Sequence, residues 1–133
     1  MAVVSSENVP IKSEPDVVTV RRRVREVSGQ LGLSLVDQTK IITAASELAR
    51  NTIIYGGGGS MQIQTLNGPR VGLRLTFEDQ GPGIPDVELA LRDGFTTGSG
   101  LGLGLGGSKR LVNEFDIISR PGEGTRITIT RWK

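Results

Sequence analysis

Glycine is concentrated in four places along this chain, and no other feature restricts its fold as much. Of 19 glycines in 133 residues, 15 fall at 56–59, at 81 and 83, between 94 and 107, and at 122 and 124. The total is about twice the usual ~7%. Spread evenly, such a content would read as disorder. Clustered between well-patterned segments, it reads as main chain brought close to a ligand, because glycine has no Cβ to hold a neighbour away.

The segments between the clusters carry clear periodicities. Val17, Val20, Val24, Val27 and Leu31 recur at alternating spacings of three and four, which predicts an amphipathic helix ending near Gly29–Gly32. Residues 36–54 predict a second helix. At 3.6 residues per turn, Ile41, Ile42, Ala45, Leu48, Ala49 and Ile53 share one arc, with Lys40, Thr43, Glu47, Arg50 and Asn51 on the other. Residues 2–12 contain a candidate edge strand, and Met61–Leu66 reads as a strand. In 71–79, Val71, Leu73, Leu75 and Phe77 alternate with Arg74, Thr76 and Glu78, which places Asp79 on the apolar side at the end of a strand. A short helix at 85–92, a glycine-rich loop at 94–107, a helix at 108–115 and strands at 116–119 and 125–132 complete the reading. Helices and hairpin strands segregate, so one α+β domain over residues 1–133 is expected: a two-layer α/β sandwich, helices on one face of a mixed sheet.

Composition removes whole classes of chemistry. The chain has no cysteine and no histidine, which excludes thiolate chemistry, a histidine base or metal ligand, and a phosphohistidine on this chain. No run reaches the ~18–20 apolar residues of a membrane helix. The first residues lack the pattern of a secretory signal, so a cytoplasmic protein is expected. A net charge of +2 is small for a nucleic-acid binder. The one basic run, Arg21, Arg22, Arg23 and Arg25, reads either as a solvated helix face or as a dock for an acidic protein.

Three constellations remain. The stretch Gly102–Gly107 satisfies G-x-G-x-x-G, but glycines rather than a strand precede it, which argues against a dinucleotide fold. It suits a loop whose bare N–H groups, with a following helix, cradle phosphates. An ionised Asp79 on an apolar face is costly unless paired. It is either a local salt bridge or cap, or the acceptor for a ligand donor such as an adenine amine, with Gly81 and Gly83 beside it letting a flat ring meet backbone. Glu47 and Asn51, four apart, share a helical face. They are either solvated or poised for a hard cation such as Mg²⁺, with Glu47 as the general base of a chain without histidine.

These pieces occur together in a recognisable order. Glu47-Leu48-Ala49-Arg50-Asn51 resembles the N box of the GHKL (Bergerat-fold) ATPase superfamily. Asp79-Gln80-Gly81-Pro82-Gly83-Ile84 resembles its G1 box, and Gly100–Leu105 followed by Lys109-Arg110-Leu111-Val112 is similar to its G2 box and helix. Gly122-Glu123-Gly124-Thr125 resembles the closing glycine turn. The match spans roughly residues 40–130. It implies ATP and Mg²⁺ as cofactors. Asp79 would hold the adenine amine with Thr125 assisting through water, beside Gly81 and Gly83. Asn51 would coordinate the metal, and Glu47 would be the catalytic base. Gly100, Gly102, Gly104 and Lys109 would meet the phosphates in a closing lid.

Within the superfamily, 133 residues leave no room for transducer domains, and a histidine kinase needs a histidine. The chain reads as complete, and it resembles the bacterial anti-sigma-factor serine/threonine kinase group, in particular its stressosome switch kinases. That resemblance implies phosphorylation of STAS-domain substrate proteins of a stressosome scaffold, release, and activation of a sigma-pathway phosphatase. No nucleic-acid or membrane partner is implied, and a homodimer is compatible with the group. The alternative is an ATP-dependent anti-sigma factor whose output is inhibition of a sigma factor. One departure stands out: the lid carries Thr96, Thr97 and Ser99 where the group has arginine.

Overall fold

The computed structural model describes residues 2–84, 87, 91 and 105–133. Its order is β1 (Ala2–Ile11), α1 (Glu14–Gln30), α2 (Leu35–Ile54), β2 (Gly59–Asn67), β3 (Gly72–Asp79), α3 (Leu105–Arg110), β4 (Glu114–Ser119) and β5 (Thr125–Trp132). The five strands form one sheet in the order β1-β2-β3-β5-β4.

The helices begin where side chains satisfy free N–H groups. The Asp16 carboxylate accepts from the backbone N–H of Lys12 at 2.7 Å and of Ser13 at 3.2 Å, and Pro15 lies in the first turn of α1. The Ser34 hydroxyl accepts from the N–H of Asp37 at 3.1 Å and caps α2. At the other end of α2, Gly57 N–H donates to Ile53 C=O and Gly58 N–H to Thr52 C=O. Gly57 and Gly58 take positive φ of 74° and 106°, which lets the chain leave the helix there and enter β2.

Both long helices lie on one face of the sheet. Val17, Val20 and Val24 of α1 and Ile41, Ala45, Leu48 and Ala49 of α2 are buried against Met61, Ile63, Leu73, Leu75, Phe77, Ile127 and Ile129 from β2, β3 and β5. The alternation in β3 is as the sequence predicts: Leu73, Leu75 and Phe77 are buried and Asp79 continues their side at the strand end. In β1 only Val9 and Ile11 are buried, and the strand lies at the sheet edge as anticipated.

The α+β class and the layering match expectation, with two corrections of detail. All four strand pairings are antiparallel, so the sheet is antiparallel rather than mixed. The helix anticipated at 108–115 is instead the six-residue α3, and Glu114 already belongs to β4. Long-range pairing decides this: Asn113 N–H donates to Thr130 C=O at 2.9 Å, and its side-chain oxygen accepts from Trp132 N–H at 2.7 Å. Most of the anticipated 85–92 helix and the lid glycines Gly100, Gly102 and Gly104 lie outside the described residues, although Leu91 N–H donates to Val87 C=O at 3.0 Å, the spacing of one helical turn.

Two ties hold the last strand. Arg131 reaches the helix layer, bonding Asp37 of α2 at 2.6 Å and the carbonyl of Leu111 at 3.3 Å. Its hydrogen bond holds the Asp37 carboxyl below its ordinary range. On the open face, the Trp132 indole N–H donates to Glu114 at 2.8 Å, and the Arg70 guanidinium lies 5.6 Å from the ring centre. The ring occupies the space a Cβ at Gly72 would take. Gly72→Ala should therefore displace the chain's single tryptophan, destabilising the fold by about 1–3 kcal/mol. A red-shifted emission together with a lower urea midpoint checks this.

Candidate functional site

A cleft opens between the C-terminal half of α2 and the ends of β3 and β5. It is lined by Leu48, Asn51, Thr52, Tyr55, Phe77, Asp79, Gly83, Ile84, Leu105, Thr125 and Ile127. The walls are mostly apolar, with a few convergent polar groups, which is the usual make-up of a small-molecule site.

Asp79 is the charged group inside it. Antiparallel pairing of β3 with β5 puts Asp79 opposite Thr125, and β2 puts Gly59 on its other side. The carboxylate is half-buried and accepts from Gly81 N–H at 2.9 Å. Burial pushes its pKa above the ordinary carboxylate range, the N–H groups of Gly81 and Thr125 pull it down, and neighbouring Glu78 adds a smaller push upward. Among the described residues no cation pairs with it, and its bond from Gly81 N–H is the cap on the following turn that the sequence allows.

Three of the four glycine clusters meet around this carboxylate. A Cβ on Gly56 would overlap the Asp79 side chain, 2.5 Å from its Cβ and 2.6 Å from Oδ2. One on Gly81 would lie 2.7 Å from the Gly56 Cα. One on Gly124 would strike the Asp79 carbonyl. Gly83, at φ 80°, lies against the Arg120 carbonyl and turns the chain along the cleft wall. The fourth cluster, between 94 and 107, lies outside the described residues apart from Gly106 and Gly107 in α3.

Asn51 lines the cleft, and its buried Nδ2 has no hydrogen-bond partner among the described residues. A buried amide with unspent bonding capacity is costly unless a ligand completes it. The two ends of an amide exchange by a flip, so Asn51 can present oxygen to a cation instead. Among the described residues no three acidic side chains gather, so a metal here would draw its other ligands from phosphate oxygens and water, as Mg²⁺ does. Glu47 lies one turn before Asn51. Its Oε1 meets Arg50 at 3.3 Å, and its Oε2 has no partner among the described residues. Glu47 and the exposed Lys109 do not line the cleft.

Among the residues that escape the sequence reading are Tyr55 in the cleft wall and Ser119 beside it. Tyr55 follows α2 directly and forms part of the wall. Ser119, at the end of β4, bonds both Ile84 N–H at 2.7 Å and the Thr125 hydroxyl at 2.9 Å. Only the fold brings these together, and no spacing rule points to them. The basic run is partly consumed internally. Arg23 grips Glu7 of β1 through two bonds of 2.6 and 3.0 Å, and Arg22 pairs with Glu26 at 2.9 Å.

Residues 36–133 match the family described as histidine kinase-, DNA gyrase B-, and HSP90-like ATPase. The chain belongs to this family. It carries the family's ATPase domain. The chain is 48% identical over 125 residues to the serine/threonine-protein kinase RsbT of Bacillus subtilis (strain 168), covering 93% of this chain and 94% of that protein. It is 32% identical to the anti-sigma F factor of Thermoanaerobacter sp. (strain X514), over 84% of this chain and 82% of that one. Among solved structures, the RsbU and RsbW domains of Rv1364c from Mycobacterium tuberculosis superpose with a TM-score of 0.67 at 21% identity. That match covers 97% of this chain and 33% of the larger one, and shows the shared fold. No described helix is long and apolar enough to cross a membrane.

The raised Asp79 carboxyl has a consequence for stability. The folded state holds its proton more tightly than the unfolded chain, whose value is near 3.8. The folded state therefore loses stability as pH climbs from that value through the raised folded one. Asp79→Asn cannot ionise. Without nucleotide it should melt at a higher temperature than the native chain at neutral pH, with the gap closing as pH falls below the ordinary carboxylate range. Thermal melts across pH measure this, and an equal or lower midpoint for the variant at neutral pH would contradict the burial argument.

Proposed function

We propose that this chain is a serine/threonine protein kinase that transfers the γ-phosphoryl group of Mg-ATP to a hydroxyl on a STAS-domain protein of a bacterial stressosome. In this reading it is also a switch: once released from that scaffold, it activates a sigma-pathway phosphatase. The observation that carries the reading is the convergence of Gly56, Gly81 and Gly124 on the half-buried Asp79 carboxylate, which among the described residues has no cation beside it. That arrangement offers an acceptor for a base amine, at a place where only bare backbone fits. The likeness to a serine/threonine kinase over nearly the whole chain supports the protein hydroxyl as acceptor.

Phosphoryl transfer asks a protein chiefly for positioning and charge neutralisation. Asp79 accepts from the exocyclic amine of adenine, with Thr125 completing that edge through a water. Phe77, Ile84, Leu105 and Ile127 supply apolar surface for the ring. Asn51 presents its side-chain oxygen to Mg²⁺, and the metal's contribution is to neutralise charge on the phosphate oxygens. Gly100, Gly102, Gly104 and Lys109 serve the phosphates. Oε2 of Glu47 takes the proton of the acceptor hydroxyl as the hydroxyl oxygen bonds to phosphorus and the bond to the ADP oxygen breaks.

A second reading rests on the 32% identity to an anti-sigma F factor. In it the same nucleotide site serves a module that sequesters a sigma factor. Capture partners separate the two: STAS scaffold and phosphatase in one case, sigma factor in the other.

Glu47→Gln should keep nucleotide affinity and lose transfer to a STAS substrate. Asp79→Asn should weaken ATP binding itself by about 1–3 kcal/mol, the loss of a hydrogen bond to a charged group. Titration with labelled ATP and a phosphotransfer assay read both, and normal transfer by the Glu47 variant would remove it as the base.

A further inference from the structure

The Ser119 hydroxyl is the junction of three chain segments that meet behind the cleft. It accepts from the N–H of Ile84, in the turn after Gly83, at 2.7 Å. It lies 2.9 Å from the Thr125 hydroxyl and 3.3 Å from the Gly124 carbonyl. Thr125 faces Asp79 across the β3–β5 ladder, and its hydroxyl-bearing side chain lines the cleft. We propose that Ser119 is a positioning residue that sets the direction of the proton on the Thr125 hydroxyl, and through it the hydrogen-bonding sense the cleft presents to a purine edge. This rests on the reading of Asp79 and Thr125 as the base-binding pair.

The argument is a count of protons. Ser119 has one to donate, and Ile84 N–H already occupies one of its lone pairs. Of the two candidate acceptors, Thr125 at 2.9 Å is close to the preferred O–H···O distance of about 2.7–2.8 Å, whereas 3.3 Å to Gly124 is long. Ser119 therefore donates to Thr125. With a lone pair so occupied, the Thr125 proton is free to point into the cleft.

That direction matters for which base fits. Adenine offers an amine donor beside the ring acceptor N1. Asp79 satisfies the amine, and N1 then needs a donor. A Thr125 hydroxyl that donates supplies it, directly or through one water whose two protons are then both available for N1 and Asp79. A Thr125 hydroxyl that only accepts cannot meet N1 directly, and through a bridging water it takes one of the two protons, leaving a single proton for both N1 and Asp79. Guanine presents an N–H at its N1, and a carboxylate alone would welcome it. Ser119 thus adds discrimination for an N1 acceptor that Asp79 cannot provide.

The test compares binding of ATP and 1-deaza-ATP, which has a C–H in place of N1. The native chain should prefer ATP by about fivefold or more, the factor one neutral hydrogen bond supplies. Ser119→Ala should lose most of that preference by weakening ATP selectively, and Ser119→Thr should restore it. Thr125→Val, measured alongside, should also remove the preference, and it carries the test should Ser119→Ala fail to fold. A purely structural role for Ser119 predicts that both nucleotides weaken by the same factor. That result, or an unchanged preference in a folded Thr125→Val chain, overturns the proposal. Failure of the native chain to bind ATP, or full ATP affinity in Asp79→Asn, would instead strike the base-binding reading beneath it.

Discussion

Where β3 ends, a carboxylate is held half out of water with hydrogen bonds from two backbone N–H groups and, among the described residues, no cation. That placement costs folding free energy, since desolvation of a charge is only partly offset by two peptide dipoles. The surroundings are shaped around it. The end of α2, the turn after β3 and the hairpin before β5 each come close enough that a methyl group would collide. The cleft is therefore bounded by main chain on the side where Asp79 lies, and by Leu48, Phe77, Leu105 and Ile127 elsewhere. A charge held at a cost to stability is the usual trade between stability and function.

Much of this was legible in the sequence, for identifiable reasons. The helix periods of α1 and α2 reflect a single buried face, so valines and leucines at three-four spacing were sufficient. The period of two in β3 by itself places Asp79 on the core side. Glycine clustering flagged backbone proximity without saying what the backbone approaches. Other features were hidden because they are set by partners distant in the chain. Nothing local decides that every pairing is antiparallel. Residues 111–115 could extend a helix, but bonds from Asn113 to Thr130 and Trp132, some 17 to 19 residues on, draw them into the sheet instead. Ser119 carries no motif, since its importance comes from an N–H 35 positions earlier.

The two ends of the candidate site differ in how fully they are built. Around Asp79, the Gly81 N–H, the Thr125 hydroxyl, the Ser119 hydroxyl and the Ile84 N–H are held in a linked set of hydrogen bonds. Toward Asn51, among the described residues, the structure holds an unspent amide and a glutamate with one oxygen free. Groups left incomplete in this way fit the part of the site where the ligand supplies charge and further oxygens. One end of the cleft is thus rigidly preorganised, and the other is finished by what enters it.

The strand order carries a lesson about assembly. β5 comes last of the strands along the chain yet lies between β3 and β4, pairing with both. While the polypeptide emerges from the ribosome, those two strands have bare edges and Asp79 lacks its cross-strand neighbour. The β1-β2-β3 half of the sheet can pair without β5, but the join to β4 and the Thr125 side of the cleft need it. A translating chain therefore lacks one wall of the cleft until its last strand arrives, and the edges exposed until that moment are where chaperones would have most to guard.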